Sequence, residues 1–206
     1  MYSKIPYLRF ILWCIILAVL PVEMRAATAG EVVWTMVERI RALLEDDSLD
    51  EASRMRAVRE QVDQCFSFYH ITRRAVGRSW SKFSPLEQEQ LTVAFGDLLF
   101  HTYYQRSSEA EGAKVVLVDE LPLGKNAFEV RTKVVRPGGD IFVVYRLIAV
   151  QGQWCVYDVV IEGVSLVSNY RSQFADILRS GTPAALIKLV EKKNAALQNY
   201  GTSLGD

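Results

Sequence analysis

From Glu31 to Leu44 the apolar residues Val33, Trp34, Val37, Ile40 and Leu44 recur at three- and four-residue steps, which predicts an amphipathic helix. A second helix is expected from Ser48 or Asp50, with a charged face of Arg54, Arg56, Arg59 and Glu60, running to Val62, Cys65 and Phe66. The next segment, from Ser67 or Phe68 to Val76, stops at Gly77, where a helix end favours a residue free to take positive φ. Ser84-Pro85-Leu86-Glu87 then supplies an N-cap, a proline at the first helical position and a glutamate at the third, a capping box for a helix to about Ser107. That helix carries Phe95, Leu98, Leu99, Phe100, Tyr103 and Tyr104, an apolar arc wide enough to pack two layers or to line a cavity.

After Gly112 the period changes to two. Four extended runs are expected, Val115 to Glu120, Ala127 to Arg136, Asp140 to Val150 and Trp154 to Ile161, joined by turns such as Pro137-Gly138-Gly139 and Gln151-Gly152-Gln153. Connections this short imply antiparallel neighbours. In the second run Phe128, Val130, Thr132 and Val134 alternate with Glu129, Arg131 and Lys133, so one face is wet. The third run is apolar at nearly every position except Arg146, which predicts cover on both faces. Ser165 opens a helix through Val167, Tyr170, Phe174, Ile177 and Leu178 to Gly181, and Thr182-Pro183 starts a last one to Leu197. Helices, then strands, then helices predict an α+β fold: a four-stranded or slightly larger curved antiparallel sheet wrapped by N- and C-terminal helices.

The N-terminus reads differently from the rest. Lys4 and Arg9 precede an apolar run from Phe10 to Leu20, followed by a small-residue cluster ending Ala27-Thr28-Ala29. This is the pattern of a secretory signal peptide over residues 1–29, giving a product that starts near Gly30, with cleavage after Ala26 the second choice. The run is too short to span a bilayer, which takes about 20 residues, and no later segment is apolar enough, so no stable membrane insertion is expected. Residues 30–200 fit one domain, and 201–206 form a tail expected to fray.

Without Lys4, Arg9, Glu23 and Arg25 the chain has 21 basic and 23 acidic residues. That balance argues against nucleic-acid binding, which calls for a strong positive field. Two cysteines follow the leader, Cys65 and Cys155, in a chain bound for a compartment where disulfides persist. A bond between them would close a loop of about 90 residues and stabilise by roughly 4–5 kcal/mol on the chain-entropy argument; the sequence does not place their Cα atoms together, and two buried free thiols are the commoner arrangement.

Catalytic chemistry has few candidates. His70 and His101 sit among aromatics at helical positions and read as packing or capping groups, and no Cys/His set completes a metal site. Ser165 lacks the following glycine of a nucleophile elbow and reads as an N-cap. Asp158, a carboxylate within an apolar strand, requires a partner, for which Arg146, Arg171 and Arg131 are candidates.

The stretch Trp154 to Phe174, WCVYDVVIEGVSLVSNYRSQF, together with Phe68 to Trp80 (FYHITRRAVGRSW), the Ser84-Pro85 helix and the Gly152-Gln153-Trp154 turn, resembles the MlaC family of phospholipid carriers, also called toluene-tolerance proteins. The resemblance implies a fold like a cone-shaped NTF2 sheet with acyl chains held between sheet and helices. It also implies a periplasmic shuttle that exchanges phospholipid between an outer-membrane lipoprotein complex and an inner-membrane ABC transporter bearing an MCE-domain protein, maintaining outer-membrane lipid asymmetry. The ligand would be the lipid itself, with no cofactor and no catalysis. HpnM-type proteins associated with hopanoid export share the general pattern, so a polycyclic lipid stays open beside a two-chain phospholipid.

On this resemblance the cavity is expected to be lined by Phe95, Leu98, Leu99, Tyr103, Val130, Val134, Phe142, Val144, Val160, Val164, Val167 and Tyr170, with Tyr145, Arg146 and Arg171 near a headgroup at the mouth. A one-residue error in strand phase would invert the strand set. Two rival readings are a small cup-shaped enzyme using Asp158 with His101 or Tyr145, and an adaptor with a filled core.

Overall fold

The computed structural model describes residues 27–106 and 112–202, with side chains to Leu197. Residues 1–26 of the expected signal peptide over 1–29 lie outside the described residues, as do 203–206 of the expected tail, while Gly201 and Thr202 still belong to the last helix.

Three helices open the fold: α1 (Ala29–Leu44), α2 (Glu51–Cys65) and α3 (Phe68–Val76). A 3-10 helix, Gly77–Lys82, leads to α4 (Pro85–Tyr104). The starts of α2 and α4 are capped as their sequences suggest, while Ser67 at the start of α3 makes no capping bond through its side chain. Asp50 accepts from Ser53 N at 2.7 Å, and Ser84 and Glu87 exchange the two bonds of a capping box. One capping box was not foreseen. Thr28 accepts from Glu31 N at 3.1 Å while Glu31 accepts from Thr28 N at 2.7 Å, so α1 starts one residue, and its cap two residues, ahead of the expected domain start at Gly30.

The sheet runs β1 (Lys114–Gly124), β2 (Ala127–Val135), β3 (Ile141–Val150), β4 (Gln153–Ile161) and β5 (Val164–Ser165), antiparallel throughout and in sequence order. The hairpins on either side of β4 turn on Gln151-Gly152 and Glu162-Gly163, where both residues have positive φ. Such turns match the twist of the flanking strands. The second of them adds β5 to the four expected strands. Helices α5 (Leu166–Ser180) and α6 (Pro183–Thr202) complete the α+β architecture.

Two apolar layers result. In one, Val130, Val143, Leu147, Val156 and Val159 of the sheet pack on Ala29 and Val33 of α1. In the other, Ile71 of α3, Leu91, Phe95, Leu98 and Leu99 of α4, Phe174 of α5 and Leu186 and Val190 of α6 form a helical core. Phe66, between α2 and α3, packs against both layers. The opposite face of β3 is not covered as its sequence suggested: Phe142 is 55% exposed, and Arg146 there meets Glu129 and Asp158. No helix among the described residues is long and apolar enough to cross a membrane.

Candidate functional site

Where the two layers meet lies a cavity of about 310 Å³, near the lower end of the roughly 300–1,000 Å³ usual for small-molecule sites. Its wall is drawn from seven segments: Ile40 and Leu44 of α1, Val58 and Val62 of α2, Phe66, Phe68 and Ile71 around α3, Leu99, Phe100, Tyr103 and Tyr104 of α4, Val143 and Tyr145 of β3, Asp158, Val159 and Ile161 of β4, and Leu166 and Val167 of α5. No single element could form it, because each contributes only one short apolar stripe.

The few polar groups in the wall are held neutral or already engaged. Burial pushes the Tyr145 hydroxyl up to about 12, and it raises Tyr103 as well. Tyr104 is also pushed up to about 12, by burial and by its 2.9 Å hydrogen bond to Glu51. Asp158 turns its carboxylate into the protein, accepting from Ser165 Oγ at 2.7 Å, Val167 N at 3.1 Å and Arg146 Nη1 at 3.2 Å. A chamber of this kind solvates hydrocarbon and offers no free charge to a polar ligand.

Of the positions expected in the wall, Leu99, Tyr103 and Val167 line the cavity. Phe95 and Leu98 are buried one layer away in the helical core, where Phe95 meets Tyr170 at 4.7 Å and Phe174 at 5.0 Å between ring centroids. Tyr170 is likewise a packing residue of that core. Val130 and Val134 do face inward, but they pack in the sheet layer with α1.

Phe142, Val144 and Val160 lie on the opposite sheet face, and Val164 is 59% exposed. The reason is register. Val130 pairs with Tyr145 and Val134 with Ile141, so the inward set on β3 is Val143, Tyr145 and Leu147, one residue out of phase with the expected Phe142 and Val144. Tyr145 therefore belongs to the cavity wall. Arg146 is on the outer face in an ion network, and Arg171 is exposed, donating through Nε to the Arg74 carbonyl at 2.9 Å.

The contributions of α1 and α2, Ile40, Leu44, Val58 and Val62, and of Phe66, Phe68 and Ile71 were missed. Their sequence signal is ordinary amphipathicity, which a helix facing a cavity shares with one facing a filled core. Val143, Val159 and Ile161 were legible in principle, because the inward set of β2 fixes the phase of its neighbours once the turn register is known.

His70 Nδ1 lies 2.7 Å from Ser67 Oγ at the start of α3 and its ring meets Tyr69 edge-on at 5.3 Å, and His101 packs edge-on against Phe100 at 5.5 Å. Ser165 accepts from Ser168 N at 3.0 Å as the N-cap of α5. Cys65 and Cys155 are both free thiols, half-buried.

Among known proteins, the family model of the MlaC protein matches residues 31–192. The Haemophilus influenzae intermembrane phospholipid transport system binding protein MlaC is 25% identical over 122 residues, 56% of this chain. That match spans 57% of the relative's own length. Among solved structures, the phospholipid-binding protein from Ralstonia solanacearum, in complex with a phospholipid, superposes with a TM-score of 0.76 at 28% identity, covering 84% of this chain and 99% of that one.

Proposed function

Since the chain belongs to the MlaC family, we propose that it is an exported lipid carrier without enzymatic activity, holding phospholipid acyl chains in the cavity between sheet and helices. The observation that carries this reading is the character of the wall: apolar side chains from seven segments, with tyrosines held protonated and one carboxylate already engaged. Exposing a 16-carbon chain to water costs on the order of 13 kcal/mol at about 0.8 kcal/mol per methylene. A wall of this kind replaces bilayer contacts, so transfer between membrane and protein is close to even. Direction must then come from partners.

The relatives named above support a phospholipid as cargo. The partners in this reading are an outer-membrane lipoprotein complex and an inner-membrane MCE/ABC complex, with the periplasm as the compartment crossed. The enzyme reading loses support from Asp158, whose oxygens are spent on Ser165, Val167 and Arg146.

The test is native mass spectrometry of protein purified from the exporting compartment without detergent, followed by lipid extraction and tandem identification. A stoichiometric phospholipid adduct is expected. A hopanoid adduct would move the cargo to polycyclic lipids, and an apo mass that persists after incubation with phospholipid vesicles would overturn the carrier reading.

A further inference from the structure

The joint between α2 and α3 is tied to the sheet at one point. Phe66 forms an isolated parallel bridge with Val156, and Ser67 N donates to the Val156 carbonyl at 2.9 Å. Residues paired across such a bridge sit about 4.8 Å apart, the inter-strand spacing, and their side chains point to the same side. Phe66 and Val156 both face inward, Phe66 in the cavity wall and Val156 fully buried in the sheet layer. The residues before them are Cys65 and Cys155.

The bridge thus brings the last residue of α2, Cys65, close to Cys155 of β4. We propose that Cys65 and Cys155 form an intramolecular disulfide that fastens the α2–α3 joint to β4.

A disulfide spans Cα atoms roughly 4.4–6.8 Å apart, a separation within reach of the residues that flank a bridge of about 4.8 Å. Burial raises the Cys65 thiol first, Arg39 opposes that, and Cys155 raises it further, while burial alone raises Cys155. Reagents reach Cys65 from outside, because it lines a surface cleft of about 660 Å³ together with Gln153 and Trp154.

The oxidant is a protein or small-molecule disulfide of an oxidising compartment. The thiolate of one cysteine attacks it and forms a mixed disulfide, releasing one thiol of the oxidant. The thiolate of the other cysteine then displaces the second. The pair loses two protons and two electrons, and the oxidant gains them as a dithiol. Because Val62 and Phe66 precede the joint, Phe68 and Ile71 follow it, and all four line the cavity, the bond restricts how far this wall can swing from the sheet.

The experiment equilibrates the purified protein in oxidised and in reduced glutathione, then denatures it in the presence of an alkylating maleimide and measures intact mass and linked peptides. After oxidation the expected result is no alkylatable thiol, a mass lower by two hydrogens, and a peptide joining residues 65 and 155, whereas C155S leaves Cys65 alkylatable or capped by glutathione. Two alkylatable thiols in the oxidised wild type, or glutathione adducts without the linked peptide, would overturn the proposal. Amide exchange over residues 66–69 is expected to slow about tenfold or more on oxidation, as local opening is suppressed; equal rates in the two forms would remove the fastening role. None of these readouts depends on the cavity holding lipid.

Discussion

The carboxylate of Asp158 and the guanidinium of Arg146 lie 3.2 Å apart across β3 and β4, at the register shift that sets Arg146 opposite Asp158 and Leu147 opposite Val156. The extra residue on β4 at this shift is Tyr157, and such bulges re-aim neighbouring side chains. Asp158 thereby reaches the start of α5 as well, bonding Ser165 Oγ and Val167 N. One nearly buried carboxylate holds two strands and a helix N-terminus together.

Asp158→Ala is therefore expected to destabilise the fold by about 1–3 kcal/mol, because the buried Val167 N–H and the Ser165 hydroxyl lose their acceptor while Arg146 keeps Glu129. Urea unfolding followed by circular dichroism measures it. A loss below about 0.5 kcal/mol would mean that the contacts are incidental.

Stability should also depend on pH through Glu129. Burial pushes its carboxyl up, but hydrogen bonds from Arg131 and Arg146 outweigh this and leave it below the ordinary glutamate range. A depressed folded value stabilises above the unfolded value, and that contribution is lost as pH falls from about 4.3 through the lower folded value. Melting temperature should fall over this acid window, and Glu129→Gln should flatten the fall. Parallel wild-type and variant curves would exclude the network as its source.

The phase of β3 makes opposite predictions for adjacent residues. Val143→Glu places a carboxylate in the cavity wall and is expected to abolish retained lipid, whereas Val144→Glu, opposite Arg131 on the outer face, should keep it. Burying an unpaired charge costs several kcal/mol, so Val143→Glu could unfold the protein outright. Val159→Trp, which fills the same space without charge, provides the second check by extraction and lipid quantification. Full lipid in Val159→Trp with none in Val144→Glu would reverse the assignment.

Gly96 on α4 lies against the Phe68 ring, and a Cβ there would come within 3.1 Å of it. Gly96→Ala gains helix propensity but must displace a ring that forms part of the cavity wall. A net loss of about 1–2 kcal/mol, typical of overpacking, is expected together with reduced lipid content. A stabilised variant with full lipid would show that Phe68 yields freely.

At the N-terminus, Thr28 caps α1, and Ala29 and Gly30 are buried behind it, with Gly30 N donating to Glu120 at 2.9 Å. The expected mature terminus is accordingly Ala27, which keeps this cap, and intact mass of the exported protein reads it directly. Thr28→Ala should cost about 1 kcal/mol. A mature chain beginning at Gly30 with unchanged stability would contradict both.

The local elements were determined by sequence, because their signals are local. Ser84-Pro85-Leu86-Glu87 makes its capping box whatever surrounds it, and Gln151-Gly152 supplies a two-residue hairpin turn. The antiparallel order followed from short connections alone. Which apolar residues face a cavity was decided only by tertiary structure. Phe95 and Leu99 lie four residues apart on one helix and look equivalent, yet one is sealed beneath Tyr170 and Phe174 while the other opens onto the chamber. Burial in a packed core and exposure to an apolar cavity select the same side chains, so composition and periodicity cannot separate them. What separates them is where the helical and sheet layers fail to touch, and that gap depends on strand register and helix placement between residues far apart in the chain.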